Sequence, residues 1–188
     1  MFKWLDAAQV VQTFCRDRQF PFAFIGGVAV QRWGEPRVTI DVDLTVYVGF
    51  GNEERFIETF LGRFAARISG AAEFALTRRV LLVQSDNGID LDVALGGLPF
   101  EQKLIERASD AEYLPEVFLH TCSAEDLIVL KAFADREKDW LDIRGVLDRQ
   151  GPKLDWGYVL TELHPLVEFK EAPQIMDRLA KIRKECAA

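Results

Sequence analysis

Positions 38 to 48 read VTIDVDLTVYV, and this run constrains the chain more than any other. Its apolar members alternate, from Val38 through Ile40, Val42, Leu44 and Val46 to Val48, and most are β-branched. Period-two alternation of that composition predicts a strand over 38–48. The same period sets Asp41 and Asp43 on one face of it. Side chains two apart on a strand stand roughly 6–7 Å from each other, so the two carboxylates repel, and burial strips their hydration. A strand that keeps both calls for a cation.

The remaining pattern places strands with short helices first and helices last. Leu5, Ala8, Val11 and Phe14 recur at helical spacing and predict a first helix ending near Arg18. After Pro21, FAFIGG reads as a buried strand ending at Gly26 and Gly27, and VAVQRW as a short helix stopped around Gly34 to Pro36. Asn52 stands where it can cap a helix whose buried side is Phe56, Ile57, Phe60, Leu61 and Phe64. RRVLLVQ and IDLDVAL are strand-like runs joined by SDNG, a hairpin signal with Asn87-Gly88 in the turn. A helix over 100–108 and the strand-like EVFLHT follow. Ser123 before Ala124, Glu125 and Asp126 is a capped helix start. Helices are then predicted over 124–136, 139–149, 155–169 and 172–185. The expected fold is α+β, a mixed sheet flanked by helices with a C-terminal helical part. The expected division is a core over 1–122 and a helical part over 123–188, packed together as one compact unit.

Composition narrows the function classes. The 188 residues carry 23 Lys and Arg against 30 Asp and Glu, a net charge of -7, so the chain as a whole does not advertise nucleic-acid binding. Bound metal ions can reverse the sign of an acidic cluster locally. Cys15, Cys122 and Cys186 are far apart, and no C-x-x-C or Cys/His spacing exists, which points away from a disulfide framework and a zinc site. The N-terminal segment reads as an amphipathic helix, not a signal peptide, because Asp6, Gln9 and Gln12 interrupt its apolar positions. No apolar run approaches the roughly 20 residues that span a bilayer. The expectation is a cytoplasmic protein without a membrane partner.

Carboxylates arranged this way suit phosphate chemistry. Magnesium, or manganese in its place, takes carboxylate oxygens and keeps positions open for phosphate oxygens. The DLD of the later hairpin adds Asp90 and Asp92 on one face, either of which supplies a third carboxylate. Asp90 lies two residues from Gly88 at the turn, whereas Asp92 lies deeper between Leu91 and Val93, and this favours Asp92. Three carboxylates on neighbouring strands describe a phosphoryl- or nucleotidyl-transfer centre. Gly26 and Gly27 let backbone amides approach a triphosphate closely, with a helix N-terminus following. The spacing is not that of a P-loop. Further along, Lys131 sits in a helix apolar on nearly every face, so it must snorkel out or meet a negative partner. Asp139 and Asp142 share a helical face with Arg136, and a solvated ladder of ion pairs fits Asp142 better than Asp139.

Taken in order, Gly-Gly, RVTIDVDL, LDV and VLKAFADREKDWLDI resemble the nucleotidyltransferase superfamily of polymerase-β type. More closely, they resemble the AbiEii-type toxin family of abortive infection and type IV toxin–antitoxin systems. The resemblance runs from Phe24 to about Leu147. It implies that Gly26, Gly27, Asp41 and Asp43 form the first motif and that Asp92 is the third carboxylate. It implies that Lys131 and Asp139 are the downstream lysine and aspartate.

The resulting expectation is a metal-dependent nucleotidyltransferase. Mg²⁺ on Asp41, Asp43 and Asp92 would position an NTP against Gly26, Gly27 and Lys131, with Arg37 and Thr39 on the approach. Asp92 would deprotonate or orient the acceptor hydroxyl, and Asp139 would orient Lys131 or a magnesium-bound water. The resemblance implies an RNA acceptor, tRNA in particular, a toxin-like role and a cognate antitoxin. Aminoglycoside or protein nucleotidylation is the enzymatic alternative, and a non-catalytic nucleotide- or partner-binding module is the alternative of another class. Arg37 reads equally well as a strand-edge arginine. His120 and His164 read as structural, and Trp4, Trp33, Trp140 and Trp156 as core or interface aromatics. Arg178, Lys181, Arg183 and Lys184 make a basic helix end that suits either RNA phosphate or the helix dipole.

Overall fold

A computed structural model describes residues 2–186. The chain divides into two compact units. One takes the chain up to Val28 together with Val38–Cys122, and the other takes Ala29–Arg37 and everything from Ser123 onward.

The first unit is built on a seven-stranded mixed sheet. Its strands are β1 (Phe22–Phe24), β2 (Asp41–Tyr47), β3 (Ala65–Ala66), β4 (Val80–Gln84), β5 (Asp90–Gly96), β6 (Ser109–Leu114) and β7 (Val117–Thr121). Their order in the sheet is β3-β4-β5-β2-β1-β7-β6. The β2/β5 and β1/β7 pairs are parallel and the other pairs antiparallel. Val42, Leu44, Val46, Leu81, Val83, Leu91 and Val93 alternate onto one buried face. That face joins a single core with α1 (Lys3–Asp17) and α3 (Glu53–Leu61). Phe14, Phe20, Phe56, Phe60 and Phe64 meet in this core with ring centroids 4.6–6.4 Å apart, Phe20 and Phe60 stacked and the other pairs edge-on or tilted. Phe64 joins them from beyond the helix end. Asn52 is the N-cap of α3, but its side chain makes no capping bond.

The predicted strand over 38–48 is shorter than its alternation suggests. It begins at Asp41, where β5 begins at Asp90, its register partner. Residues 38–40 have no neighbouring strand, and Val38 and Ile40 are 83% and 75% exposed while Thr39 is buried. A ladder ends where its partner ends, whatever the pattern continues to promise. Two strands and a helix carry no clear period and fall outside the sequence reading: β3, the polar edge strand β6, and α4 (Ala71–Arg78). Gly70 and Arg79 bracket α4, both in the left-handed region. The hairpin turn has positive φ only at Gly88, and Asn87 instead accepts from the Ile89 amide. A further helix, α5 (Pro99–Glu106), packs against β1 and β2.

The second unit is helical: α6 (Ala124–Ala134), α7 (Glu137–Gln150), α8 (Trp156–Lys170) and α9 (Gln174–Cys186). The Ser123 side chain accepts from the Asp126 amide at 3.1 Å, so the predicted cap is formed. Helix α6 buries its own Leu127, Ile128, Val129 and Ala132 on several faces and packs on α7, α8 and α9. One more helix, α2 (Gly26–Trp33), starts at the glycine pair itself, two residues earlier than the apolar pattern implies.

Candidate active site

Parallel pairing of β2 with β5 sets Asp41 beside Asp90 and Asp43 beside Asp92. All four carboxylates stand at half-buried positions of their strands, alternating with fully buried apolar ones. The pleat therefore puts them on the face opposite the apolar core. Their strands are held from below by the hydrophobic residues between them, which is why a repelling set of charges can persist on a stable sheet.

The glycine pair fits closely over this face. Gly26 has φ +54, a left-handed conformation, and a Cβ there would lie 2.0 Å from Asp43 Oδ2. A Cβ on Gly27 would lie 2.9 Å from Thr39 Oγ1. The Ile25 amide donates to the Asp43 carbonyl at 3.0 Å, so backbone and carboxylate are fixed together. Only glycine admits both the dihedral and the approach. Gly26 thus lies against Asp43, on the strand that carries Asp41 and beside the one that carries Asp92, and Gly27 lies against Thr39.

One participant escaped the sequence reading. Arg67, just after β3, donates its backbone N–H to the Leu82 carbonyl at 3.1 Å, and Leu82 is the register partner of Asp92. Its guanidinium puts Nη1 3.1 Å from Asp90 Oδ2 and Nη2 2.8 Å from Asp92 Oδ1. The Nη2 contact pairs charge without the alignment of a hydrogen bond, and Asp92 Oδ1 remains a buried acceptor with no hydrogen-bond donor. Gln84 Nε2 donates to Asp90 Oδ1 at 3.0 Å. The two-residue strand that delivers Arg67 has no period to read, so only cross-strand register reveals the contact.

Among the described residues no three His, Cys, Asp or Glu side chains converge into a ready-made metal cage. Magnesium does not require one, since it binds through one or two carboxylates and takes substrate phosphates for other positions. Asp41 and Asp43 on one strand face, with the unsatisfied Oδ1 of Asp92, are hard oxygen donors of the right kind. The donor set fits a divalent cation that arrives with a phosphate-bearing substrate.

A second charged cluster lies within the helical unit. Lys131 is 5% exposed, so it does not snorkel. Its Nζ lies 2.9 Å from Asp139 Oδ1 and 2.7 Å from Asp142 Oδ2. Arg37 reaches Asp142 with two donors, Nε at 2.8 Å and Nη2 at 3.0 Å, and Arg136 does the same for Asp139. The negative partners of Lys131 in this structure are therefore protein carboxylates. Asp142 is 6% exposed, which corrects the expectation of a solvated ladder. Burial pushes both carboxyls up, but hydrogen bonds from Arg136 and Lys131 to Asp139, and from Arg37 and Lys131 to Asp142, outweigh it. Both are held below the ordinary carboxylate range. Arg37 precedes β2 as a coil residue, so it is not a strand-edge arginine.

His120 Nδ1 lies 2.7 Å from Asp110 Oδ1, giving it an acidic neighbour that sequence spacing did not reveal. Trp140 is buried and donates to Asp135, and Arg183 covers the Trp156 ring. Arg178 bonds Glu137 through both terminal nitrogens. Burial pushes the Cys15 thiol up to about 12, so it is inert at neutral pH.

Comparison with known structures finds an antigenic nucleotidyltransferase-like protein from Paracoccidioides brasiliensis at 16% identity. It covers 95% of this chain and 92% of that one with a TM-score of 0.52. The antibiotic-resistance factor ANT(2'')-Ia aligns at 15% identity over 97% and 92% of the two chains, with a TM-score of 0.46. No curated protein matches. The first of these likenesses shows the fold, a nucleotidyltransferase-like mixed sheet flanked by helices. Residues 17–164 match the family described as nucleotidyl transferase AbiEii toxin, Type IV TA system. That span holds both charged clusters and every strand, and the chain belongs to the AbiEii nucleotidyltransferase toxin family.

Proposed function

We propose that this protein transfers a nucleoside monophosphate from an NTP to an acceptor hydroxyl on RNA, with magnesium as the cofactor. The observation that carries the reading is the parallel register setting Asp41 and Asp43 beside Asp90 and Asp92, with Gly26 closed down on Asp43. In the reaction the acceptor oxygen bonds to the α-phosphorus, the α–β anhydride bond breaks, and pyrophosphate leaves. Bound Mg²⁺, or Mn²⁺, on Asp41, Asp43 and Asp92 would supply neutralisation of triphosphate charge.

The chain's own groups do the rest. Gly26 and Gly27 let backbone amides approach phosphate oxygens where any Cβ would collide with Asp43 or Thr39. Asp92 receives or orients the acceptor's proton, since its buried Oδ1 lacks a hydrogen-bond donor. Asp139 and Asp142 fix the Lys131 ammonium, and Arg37 holds Asp142 in turn. The family's toxin–antitoxin description supports a cognate antitoxin as protein partner.

The test is incubation with each labelled NTP, Mg²⁺ and total cellular RNA. Label should move to RNA, with pyrophosphate released and EDTA abolishing both. Label moving instead to a protein or an aminoglycoside would replace RNA as the acceptor. No transfer to any acceptor would overturn the reading.

A further inference from the structure

The β5 carboxylates already have a cation, and it belongs to the chain. Arg67 spans Asp90 and Asp92, but the two ends of its guanidinium are held unequally. Asp90 is anchored a second time, by Gln84. Asp92 meets Arg67 through charge alone, because its buried Oδ1 receives no aligned hydrogen bond. The Arg67 backbone is tied to Leu82, so the side chain can release Asp92 while the strand pairing stays in place.

We propose that Arg67 is a resident counter-ion of Asp92, displaced when a divalent cation arrives together with a nucleotide. This rests on the metal-dependent reading of the site given above. A guanidinium at 2.8 Å opposes the approach of a second cation to the same carboxylate. A triphosphate offers the released guanidinium the planar, two-oxygen partner it pairs with best. Metal alone must evict Arg67 with nothing to receive it, whereas metal and nucleotide together exchange partners. Arg67 therefore makes the two ligands bind with positive coupling, and the coupling is reciprocal. It is a positioning residue, acting through Asp92.

The test is Mn²⁺ titration followed by the EPR signal of the free ion, with and without a non-hydrolysable ATP analogue. The full chain is compared with Arg67→Gln and with Arg67→Lys, which keeps the charge but cannot span both carboxylates. Without nucleotide, Arg67→Gln should bind Mn²⁺ about tenfold tighter than the parent, the scale of removing one adjacent charge. Its gain from added nucleotide should shrink correspondingly, and Arg67→Lys should fall between. Equal nucleotide-free affinity in all three, with Mn²⁺ still bound in the ternary mixture, would overturn the role of Arg67 and leave the metal site standing. Absence of Mn²⁺ binding by the parent even with nucleotide would remove the metal site and this proposal together.

Discussion

On the sheet, Asp41, Asp43, Asp90 and Asp92 occupy half-exposed positions, and Arg67 spans two of them. In the helical unit, Asp139 and Asp142 are 0% and 6% exposed, and each accepts from two cations. Both clusters are rich in charge, yet they are built to different ends. A buried carboxylate with a complete donor set is finished chemistry, stabilising only while every partner stays. A carboxylate beside like charges, with one buried oxygen unbonded, keeps capacity for a ligand. In the sequence alone, Lys131 and Asp92 read as parts of one catalytic apparatus. The contrast assigns Asp92 the open role and Lys131 a positioned one.

The sharpest break of that contrast lies in the helical unit. Lys131→Ala should cost about 3–5 kcal/mol, the scale of stripping one partner from a buried ion pair. Urea unfolding measures it, and a loss under 1 kcal/mol would mean that the network is loosely held. Next come the sheet carboxylates. Asp43→Asn and Asp92→Ala should each lower nucleotidyl transfer at least about 100-fold. Asp43→Asn should leave melting near the parent's because it removes a repelling charge, and Asp92→Ala should cost about 1 kcal/mol or less because its half-exposed pair with Arg67 is lost along with the repulsion. A large drop in melting temperature would make these residues structural. Gly26→Ala should destabilise by about 1–3 kcal/mol through strain at positive φ and also depress transfer by displacing Asp43. A fully active Gly26→Ala would show that the close fit is incidental.

Acid offers a gentler probe. Asp139 and Asp142 titrate lower folded than unfolded, so they contribute stability that is present above the unfolded carboxyl range, about pH 4. That contribution is lost as pH falls through their folded values. Stability measured from pH 6 downward should fall more steeply in the parent than in Asp139→Asn, and parallel curves would deny the network this role. The smallest expected effect is at Asp90, whose alanine variant should stay within about tenfold of parental activity. If Asp90→Ala lost more than Asp92→Ala, the open carboxylate would be the one at the turn.

Much of this was legible before any coordinates. The alternation of VTIDVDL and IDLDVAL placed four aspartates on strand faces, and the Ser123 cap located α6 correctly. Local periodicity encodes such features because a strand or helix must bury one side. Where burial is one-sided and strong, residue order is enough. It failed at residues 38–40, where the pattern continues but no partner strand does, and at β3 and β6, whose short or polar runs gain strand geometry only from neighbours.

The sequence by itself determined the class of fold, the glycine pair, the strand aspartates and the family, because each is written in contiguous residues. It also posed the question of Lys131, a cation on an apolar helix, without holding the answer. Tertiary structure alone decided that Asp139 and Asp142 are its partners, that Asp142 is buried, and that Arg67 lies on Asp90 and Asp92. Those facts depend on register between strands and on helix packing, and charges find partners through space rather than along the chain.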